Sequence, residues 1–407
     1  MPLIEDKKII GEKLYYFTFI YSSILMFILS TNYIPIVPSR FIHLLIYVAI
    51  LFLFLKIFYF DSYDKNKIVW KLIIYILALV SWRLVKNVDI LLFTSFIIGG
   101  KNVNYRHIIK LFVITIGIML LGTIVVSQLG IVKDGIYIRN NFKRHSLGII
   151  YPTDMGAYLF YIILGYLYLF FNKLSWKSFS TILFIDLLLY KYTEARNSCL
   201  LIFIAILVIW FAQGAYRGNK LCKMISSFYW MCIPLLAYCT FLCSWFFSDD
   251  SKFFEILNKL FSNRLYLAHK ALNEYGITLF GQRIIEHAFG GIQGLKQFYN
   301  PKIEYFYIDS SFMRLPLIYG LLLGVFFIFV MTYIAYHSTL NHTYCLAAIF
   351  LLISLHCVVE QHLVDISFDP FLIAFLAKNV YLQNKLHNKM NTGDDSCENE
   401  KKISSLV

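Results

Sequence analysis

The residues best suited to chemistry lie between Arg139 and Asp154, in a stretch that separates two long apolar segments. Arg144 and His145 stand at its centre, and Tyr151 lies near its end. A guanidinium group presents a planar fork that binds phosphate through two parallel hydrogen bonds. This cationic loop is therefore a candidate site for an anionic headgroup at a bilayer surface. The alternative is a basic loop that only touches lipid phosphates.

A second arginine stands in the longest polar segment of the chain, 248–314. Apolar residues recur at helical spacing from Phe254 to Asn273, which predicts an amphipathic helix that ends at Gly276. At about 100° per residue, Arg264 falls in the middle of the apolar stripe. An inward-facing arginine needs a carboxylate, carbonyl groups or a bound phosphate as its partner. A structural salt bridge or a snorkelling side chain would also explain it.

The elements that must position these residues are membrane helices. The chain has 407 residues, of which 59% are hydrophobic. Apolar runs near the roughly 20 residues needed to cross a bilayer recur along it. The pattern predicts an all-α polytopic membrane protein with about twelve transmembrane helices and a long extracytoplasmic loop that contains the amphipathic helix. The expected regions are 1–247 with nine spans and an outer loop at 128–154, the long loop 248–314, three spans in 315–382, and a disordered cytoplasmic tail at 383–407.

Charge patterning suggests which loops lie on which side. The net charge is +13, but the basic residues fall in loops between spans, and no nucleic-acid-binding motif accompanies them. Lysines near the start predict cytoplasmic N- and C-termini in a cell membrane. On this topology, only Arg106 and Arg217 are cytoplasmic. The arginines expected outside are Arg40, Arg83, Arg139, Arg144, Arg196, Arg264, Arg283 and Arg314. The skew favours a phosphate-recognising outer surface, although so few arginines could be distributed this way by chance.

Metal and cofactor motifs are not indicated. The eight cysteines form no C-x-x-C pair and are interpreted as small apolar fillers. The acidic pairs Asp249-Asp250 and Asp394-Asp395 are adjacent rather than spaced as D-x-D, so we expect neither a metal nor a cofactor.

Four segments in this order between many spans carry a family resemblance. They are Arg144 to Asp154, Thr193 to Asn197, Arg264 to Gly281, and Asp309 to Gly320. Together they resemble the Wzy-type polymerases of capsular and O-antigen repeat units, which are related to O-antigen ligases. The resemblance covers most of the chain, roughly from Arg139 to Pro370. Each segment alone is a weak signal, and their order carries the weight.

The resemblance implies an inverting membrane glycosyltransferase. Its substrates would be oligosaccharide units on undecaprenyl diphosphate, already in the outer leaflet, and its possible partners a flippase and a chain-length regulator. In the family, arginines of two large outer loops are held to bind the diphosphate. The matching residues here are Arg139 and Arg144 in the first loop and Arg264 in the second, with Arg196 and Arg314 as further candidates. Many relatives have a histidine before the loop proline, where this chain has Tyr151.

The same chemistry benefits from a general base near the acceptor hydroxyl. The candidates, which the sequence does not rank, are His145, Asp154, Glu194, His287 and Asp309. Glu360 and His362 are further acid–base residues expected on the same face. Because diphosphate is a good leaving group once its charge is stabilised, arginines could supply most of the catalysis.

Two other functions stay open. A flippase or exporter of the same lipid-linked unit would need more ionisable residues in its spans and an internal repeat, which the sequence lacks. A ligase-like transferase would share the chemistry and differ in its acceptor. The polymerase hypothesis requires that arginines of separate segments converge on one site. Arginines that are scattered or paired with acids would contradict it.

Overall fold

The computed structural model describes residues 2–33, 36–61, 65–139, 141–300 and 302–381. Within them the chain is mostly helical, with one small β-hairpin. Seven helices are long and apolar enough to cross a membrane. They are Asp6–Leu29, Ser39–Phe60, Tyr105–Gln128, Pro152–Lys173, Arg196–Tyr216, Lys220–Trp245 and Leu321–Leu340. The predicted tail 383–407 lies outside the described residues.

The elements follow one another in a mainly helical order. The first half comprises α1 (Pro2–Leu29), α2 (Ser39–Leu55), α3 (Lys65–Val85), α4 (Asp89–Gly99), α5 (Tyr105–Gln128), β1 (Ile136–Arg139), β2 (Phe142–His145), α6 (Pro152–Phe170) and α7 (Trp176–Thr193). The second half comprises α8 (Arg196–Tyr216), α9 (Lys220–Ser226), α10 (Tyr229–Trp245), α11 (Lys252–Leu260), α12 (Arg264–Tyr275), α13 (Gly291–Tyr299), α14 (Ser311–Arg314), α15 (Leu321–Leu340) and α16 (Cys345–Cys357). Single π-turns continue α2 and α14.

The outer faces of the long helices are apolar. On α5, for example, Ile118, Leu121 and Val125 are each more than half exposed. An apolar surface of this extent is typical of a helix bundle surrounded by lipid. The expectation of an α-helical membrane protein is confirmed at this level, whereas the count of about twelve spans is not.

The hairpin marks one end of the bundle. Asn32, after α1, donates its N–H to the Gly148 carbonyl at 2.9 Å, so this loop lies beside the hairpin segment. At the opposite end, Gln213 of α8 donates to the carbonyl of Phe171, after α6, at 2.5 Å. We call these the hairpin end and the opposite end. The long segment between α10 and α15 lies at the hairpin end, because Tyr137 of β1 donates to the Phe289 carbonyl at 2.9 Å.

The predicted twelfth span is wrong. Residues 358–381 contain no helix longer than five residues, although they run from the hairpin end to the opposite end. Ser311 N–H bonds the Glu360 carbonyl at 3.0 Å, and Lys378 N–H bonds the Val103 carbonyl at 2.7 Å. We call 358–381 the return segment. Irregular backbone at membrane depth is tolerated where protein surrounds it, and most of this segment is buried.

Local side chains explain why the return segment is not helical. The Oδ1 of Asp365 accepts the Ser367 N–H at 2.8 Å, and the Oδ1 of Asp369 accepts the Phe371 N–H at 2.8 Å. These short-range bonds satisfy backbone donors without a helix. Pro370 has no N–H to offer to a helical ladder.

The predicted amphipathic helix Phe254–Asn273 is two helices. The helix is interrupted between α11 and α12, where Ser262 and Asn263 have φ values of 54° and 66°. Left-handed residues end a right-handed helix. The predicted end at Gly276 is confirmed, since Gly276 caps α12 with a φ of 66°. As a result, Arg264 opens α12 rather than lying in the middle of a helix.

Candidate functional site

The hairpin end contains a cavity of about 410 Å³. Three arginines line it: Arg139 and Arg144 from the hairpin and Arg264 from α12. We call it the arginine cavity. Its acidic and tyrosine lining residues are Asp154, Asp309, Glu360, Tyr151, Tyr305 and Tyr307. Segments far apart in the sequence thus bring three of the five predicted arginines together.

The hairpin register explains which side chains enter the cavity. Tyr137 pairs with Arg144, so these two side chains share one face of the hairpin. Arg139 follows Tyr137 by two residues and lies on that same face. His145 lies on the other face. Its Nδ1 contacts Asp134 Oδ2 at 2.6 Å, and it does not line the arginine cavity. The structure therefore places His145 outside the arginine cavity, against the prediction that it belongs to the same site.

Arg144 is buried, with 3% of its surface exposed. Its Nε donates to the Thr193 carbonyl at 3.0 Å, and its guanidinium lies 5.6 Å from the Tyr151 ring centre. The buried Nη2 has no hydrogen-bond partner in the protein. Burial lowers the pKa of Arg144, and nearby Tyr151 opposes that effect. A buried guanidinium with an unpaired N–H and no carboxylate bond suits an anionic ligand.

Arg264 faces two carboxylates. Its Nη2 lies 3.3 Å from Glu360 Oε1, and its Nε lies 3.4 Å from Asp309 Oδ2. Burial disfavours its charged form, but Glu360 and Asp309 raise the pKa of Arg264 overall. Burial raises the pKa of Glu360 to about 7, against the lowering effect of Arg264. Burial likewise raises the pKa of Asp309, and Arg264 opposes it. The partner that the sequence demanded for Arg264 is thus a pair of acids, and the pKa of one of them, Glu360, lies near neutral pH.

Glu194 forms ion pairs with two arginines, so its carboxylate is not available as a general base. Arg139 Nη2 lies 3.0 Å from Glu194 Oε2, and Arg196 Nε lies 3.0 Å from Oε1. Burial alone would raise the pKa of Glu194, but the bonds from Arg196 and Arg139 lower it. Neither Glu194 nor Arg196 lines the arginine cavity. Their predicted catalytic and binding roles conflict with this geometry, in which Glu194 positions Arg139.

Arg314 is fully engaged by the protein. Its Nη1 and Nη2 donate to the two carboxylate oxygens of Glu286 at 2.8 and 2.9 Å, and Nη1 also donates to the Ile308 carbonyl at 2.9 Å. A bidentate pair of this kind leaves little capacity for a ligand. Arg314 does not line the arginine cavity but an adjoining cavity of about 240 Å³, and its pairing with Glu286 conflicts with the predicted role in diphosphate binding. The exposed His287 also lies elsewhere, where its backbone pairs with Phe306.

Asp154 and Asp309 are the predicted acids that do reach the arginine cavity. Pro152 starts α6, which places Asp154 in its first turn at the cavity wall. Asp154 Oδ1 lies 3.5 Å from His362 Nε2. Tyr151 is the residue before α6 and lies between Arg144 and Tyr137.

A second cavity of about 240 Å³ adjoins the first. The two share Ile150, Asp154, Tyr307 and Gln361. We call the second one the polar cavity. Its further polar and aromatic lining residues include His43, Asn87, Asp89, Tyr319, His362, Asp365 and Phe368. Asp154 therefore stands on the wall between the two cavities.

No pattern in the sequence distinguishes Tyr305, Tyr307 and Gln361. Tyr307 donates its hydroxyl hydrogen to the Gln361 carboxamide oxygen, and the ring centres of Tyr305 and Phe289 lie 4.9 Å apart. Aromatic residues are frequent throughout this chain, so these two do not stand out. Within the described residues, no group of three or more His, Cys, Asp or Glu side chains could hold a metal ion.

The comparisons with known proteins add no relative: no family model matches this chain, and neither a curated protein nor a solved structure is detectably similar to it.

Proposed function

We propose that this chain is a membrane-embedded polymerase that joins undecaprenyl-diphosphate-linked oligosaccharide units into capsular or O-antigen polysaccharide. The observation that supports the proposal is the convergence of Arg139, Arg144 and Arg264 on one cavity at the hairpin end. Acids pair with Arg139 and Arg264, so only Arg144 meets the expectation of an arginine without an acidic partner. The unpaired Nη2 of Arg144 is the proposal's strongest element, because a diphosphate oxygen would supply the missing acceptor.

The proposed reaction is an inverting glycosyl transfer. An acceptor hydroxyl forms a bond to the anomeric carbon of the donor on the face opposite the diphosphate. The carbon–oxygen bond to the diphosphate breaks, and the leaving oxygen takes the electron pair. The guanidinium groups of Arg144 and Arg264 stabilise that developing charge. Arg139 adds positive charge at the rim, where Glu194 holds it.

Asp154 fits the role of general base. It stands between the cavity that we assign to the diphosphate and the polar cavity that we assign to the acceptor sugar. Carboxamide groups such as those of Asn87 and Gln361 suit sugar hydroxyls, and rings such as that of Phe368 suit the apolar faces of a sugar. The hydroxyl proton would pass to Asp154, whose Oδ1 lies 3.5 Å from His362 Nε2.

The location of the protein is part of the proposal. We assign the hairpin end to the outer face of a cell membrane, with both termini cytoplasmic, as the alternation of loop charges predicts. A flippase would then supply the lipid-linked units, and a chain-length regulator is a possible further partner.

The first test is polymer length in cells. Arg144→Ala and Arg264→Ala should each leave the protein in the membrane while surface polymer shortens to single repeat units. Arg217→Ala, at the opposite end, is the matched control and should leave polymer length unchanged. Loss of all surface sugar with units trapped inside would favour a flippase and overturn the proposal.

The second test separates a polymerase from a ligase. Purified protein supplied only with lipid-linked repeat units should lengthen them. If it transfers sugar only when a different acceptor is added, the ligase-like alternative replaces the polymerase.

A further inference from the structure

A second basic site lies at the opposite end, away from the arginine cavity. A groove of about 500 Å³ runs between the first turns of α5 and the last turn of α6. Arg106, His107 and Lys110 form its polar part, and all three are exposed. Among the described residues that line it, none is acidic. The basic residues of the groove therefore have no acidic partner among the residues that line it. Glu12 lies behind Tyr16, whose ring contacts His107 at 4.6 Å.

The deeper part of the groove is apolar. Val113 and Ile114 continue the same face of α5, seven and eight residues after Arg106. Leu169 and Phe170 form the facing wall on α6. Ile114 and Phe170 are each more than two-fifths exposed. The polar part thus leads directly onto an apolar surface that faces outward from two candidate membrane helices.

Arg106 is held in position by the helix on the other side of the groove. Its Nη2 donates to the Leu169 carbonyl at the end of α6. This bond fixes the guanidinium across the groove and uses only part of its donor capacity. Lys110 lies one helical turn further along α5 and can meet the same anion from the side.

We propose that this groove binds one anionic phospholipid of the surrounding bilayer. Arg106, His107 and Lys110 contact the headgroup phosphate, and the four apolar residues contact the upper part of an acyl chain. Charge complementarity selects an anion, and the apolar part of the groove selects a lipid over a free phosphate. The site lies apart from the polymerisation chemistry, so lipid binding and polymerisation are separable.

Native mass spectrometry of the delipidated full-length protein tests the proposal. One phosphatidylglycerol should bind more tightly than phosphatidylcholine. Arg106→Gln/Lys110→Gln should weaken it about 25-fold, since each basic residue near an anionic membrane surface contributes about fivefold in affinity. Lys177→Gln/Arg217→Gln removes the same charges from exposed positions at the same end outside the groove, and should change affinity less than about twofold.

Two further measurements keep the result interpretable. Lys110→Gln alone spares the bond from Arg106 to α6 and should weaken phosphatidylglycerol about fivefold, so a folding defect of the double variant cannot hide the effect. Glycerol phosphate, which lacks acyl chains, should not compete. Equal losses in the control variant, equal binding of phosphatidylcholine, or full competition by glycerol phosphate would each overturn the proposal.

Discussion

Arg144 and Arg314 are both buried arginines at the hairpin end, and their surroundings differ in one decisive respect. Each lies over a tyrosine ring, at 5.6 Å from Tyr151 and 5.0 Å from Tyr307. Arg314 bonds both carboxylate oxygens of Glu286, whereas the Nε of Arg144 bonds only a carbonyl and its Nη2 is unpaired. Burial and charge alone therefore do not distinguish the two arginines. Their partners do, because a carboxylate neutralises charge that an anionic ligand would otherwise meet.

Arg264 is intermediate between these two. It lines the arginine cavity like Arg144, but it faces Glu360 and Asp309 like an arginine held by acids. Burial raises the pKa of Glu360 to about 7, so this acid is partly protonated near neutral pH. When Glu360 is neutral, Arg264 offers more of its charge to an anionic ligand.

The largest effect should follow removal of the structural arginine. Arg314→Ala leaves the Glu286 carboxylate, whose side chain is 15% exposed, without its partner. Breaking a buried pair in this way costs about 3–5 kcal/mol of stability. Thermal unfolding of the detergent-solubilised protein should show a large fall in Tm. Arg314→Leu/Glu286→Leu should recover much of it, and a stable Arg314→Ala protein would contradict the structural role.

The complementary change is Arg144→Lys, which keeps the charge and removes the planar fork. Losing one preorganised donor to a developing oxyanion typically costs about 10²-fold in rate, so elongation should fall by that order. Tm should stay close to the wild-type value, because Arg144 satisfies no acid. Elongation of lipid-linked units by purified protein measures the rate, with Arg217→Lys as the control. A fall in Tm with an unchanged elongation rate would indicate that Arg144 has a structural role, as Arg314 does.

The pH dependence of stability tests the surroundings of Arg264, the intermediate case, through its partner Glu360. The folded protein holds a proton on Glu360 up to about pH 7, above the ordinary range of a glutamate. Stability from this residue is therefore greatest at low pH and is lost as pH rises towards 7. The loss should be about 1 kcal/mol between about pH 5.5 and about pH 6.5. Urea unfolding at several pH values should show this slope, and Glu360→Gln should reduce it. If Glu360→Gln left the pH dependence of stability unchanged, a group other than Glu360 would be responsible for it.

The smallest effect should come from His145→Gln. His145 lies on the hairpin face away from the arginine cavity, where it contacts Asp134. Glutamine can keep a hydrogen bond to that carboxylate, so the rate of elongation should change less than about twofold. A loss as large as that of Arg144→Lys would show that His145 reaches the substrate after all.

Sequence reasoning found the site residues more readily than their partners. Periodicity predicted that Arg264 faces inward and needs a carboxylate, carbonyl groups or a phosphate as its partner, and the structure supplies the carboxylates of Glu360 and Asp309. Glu360 lies 96 residues further along the chain, a distance that no local pattern spans. Likewise, a hairpin of two four-residue strands decides on which face Arg144 and His145 lie. Strands this short show no clear alternation of polar and apolar residues in the sequence.

Helix positions were predictable and helix interruptions were not. Long apolar runs located most of the bundle, including α5 and α6. The run after Asp365 has similar composition, but two aspartates and Pro370 offer its backbone other bonds. Between α11 and α12, the left-handed residues Ser262 and Asn263 break a pattern that looked continuous. In both places, local backbone chemistry outweighs hydrophobic periodicity.

The return segment also constrains how the protein is assembled in the cell. Its backbone lacks a continuous internal hydrogen-bond ladder, so it has no stable form in lipid on its own. The groups that receive it, such as the backbone of Val103, belong to parts synthesised much earlier. The return segment must therefore pack against helices that are already in place. A chain released before residue 378 would expose those receiving groups, and the quality-control proteases of the membrane would be expected to recognise it.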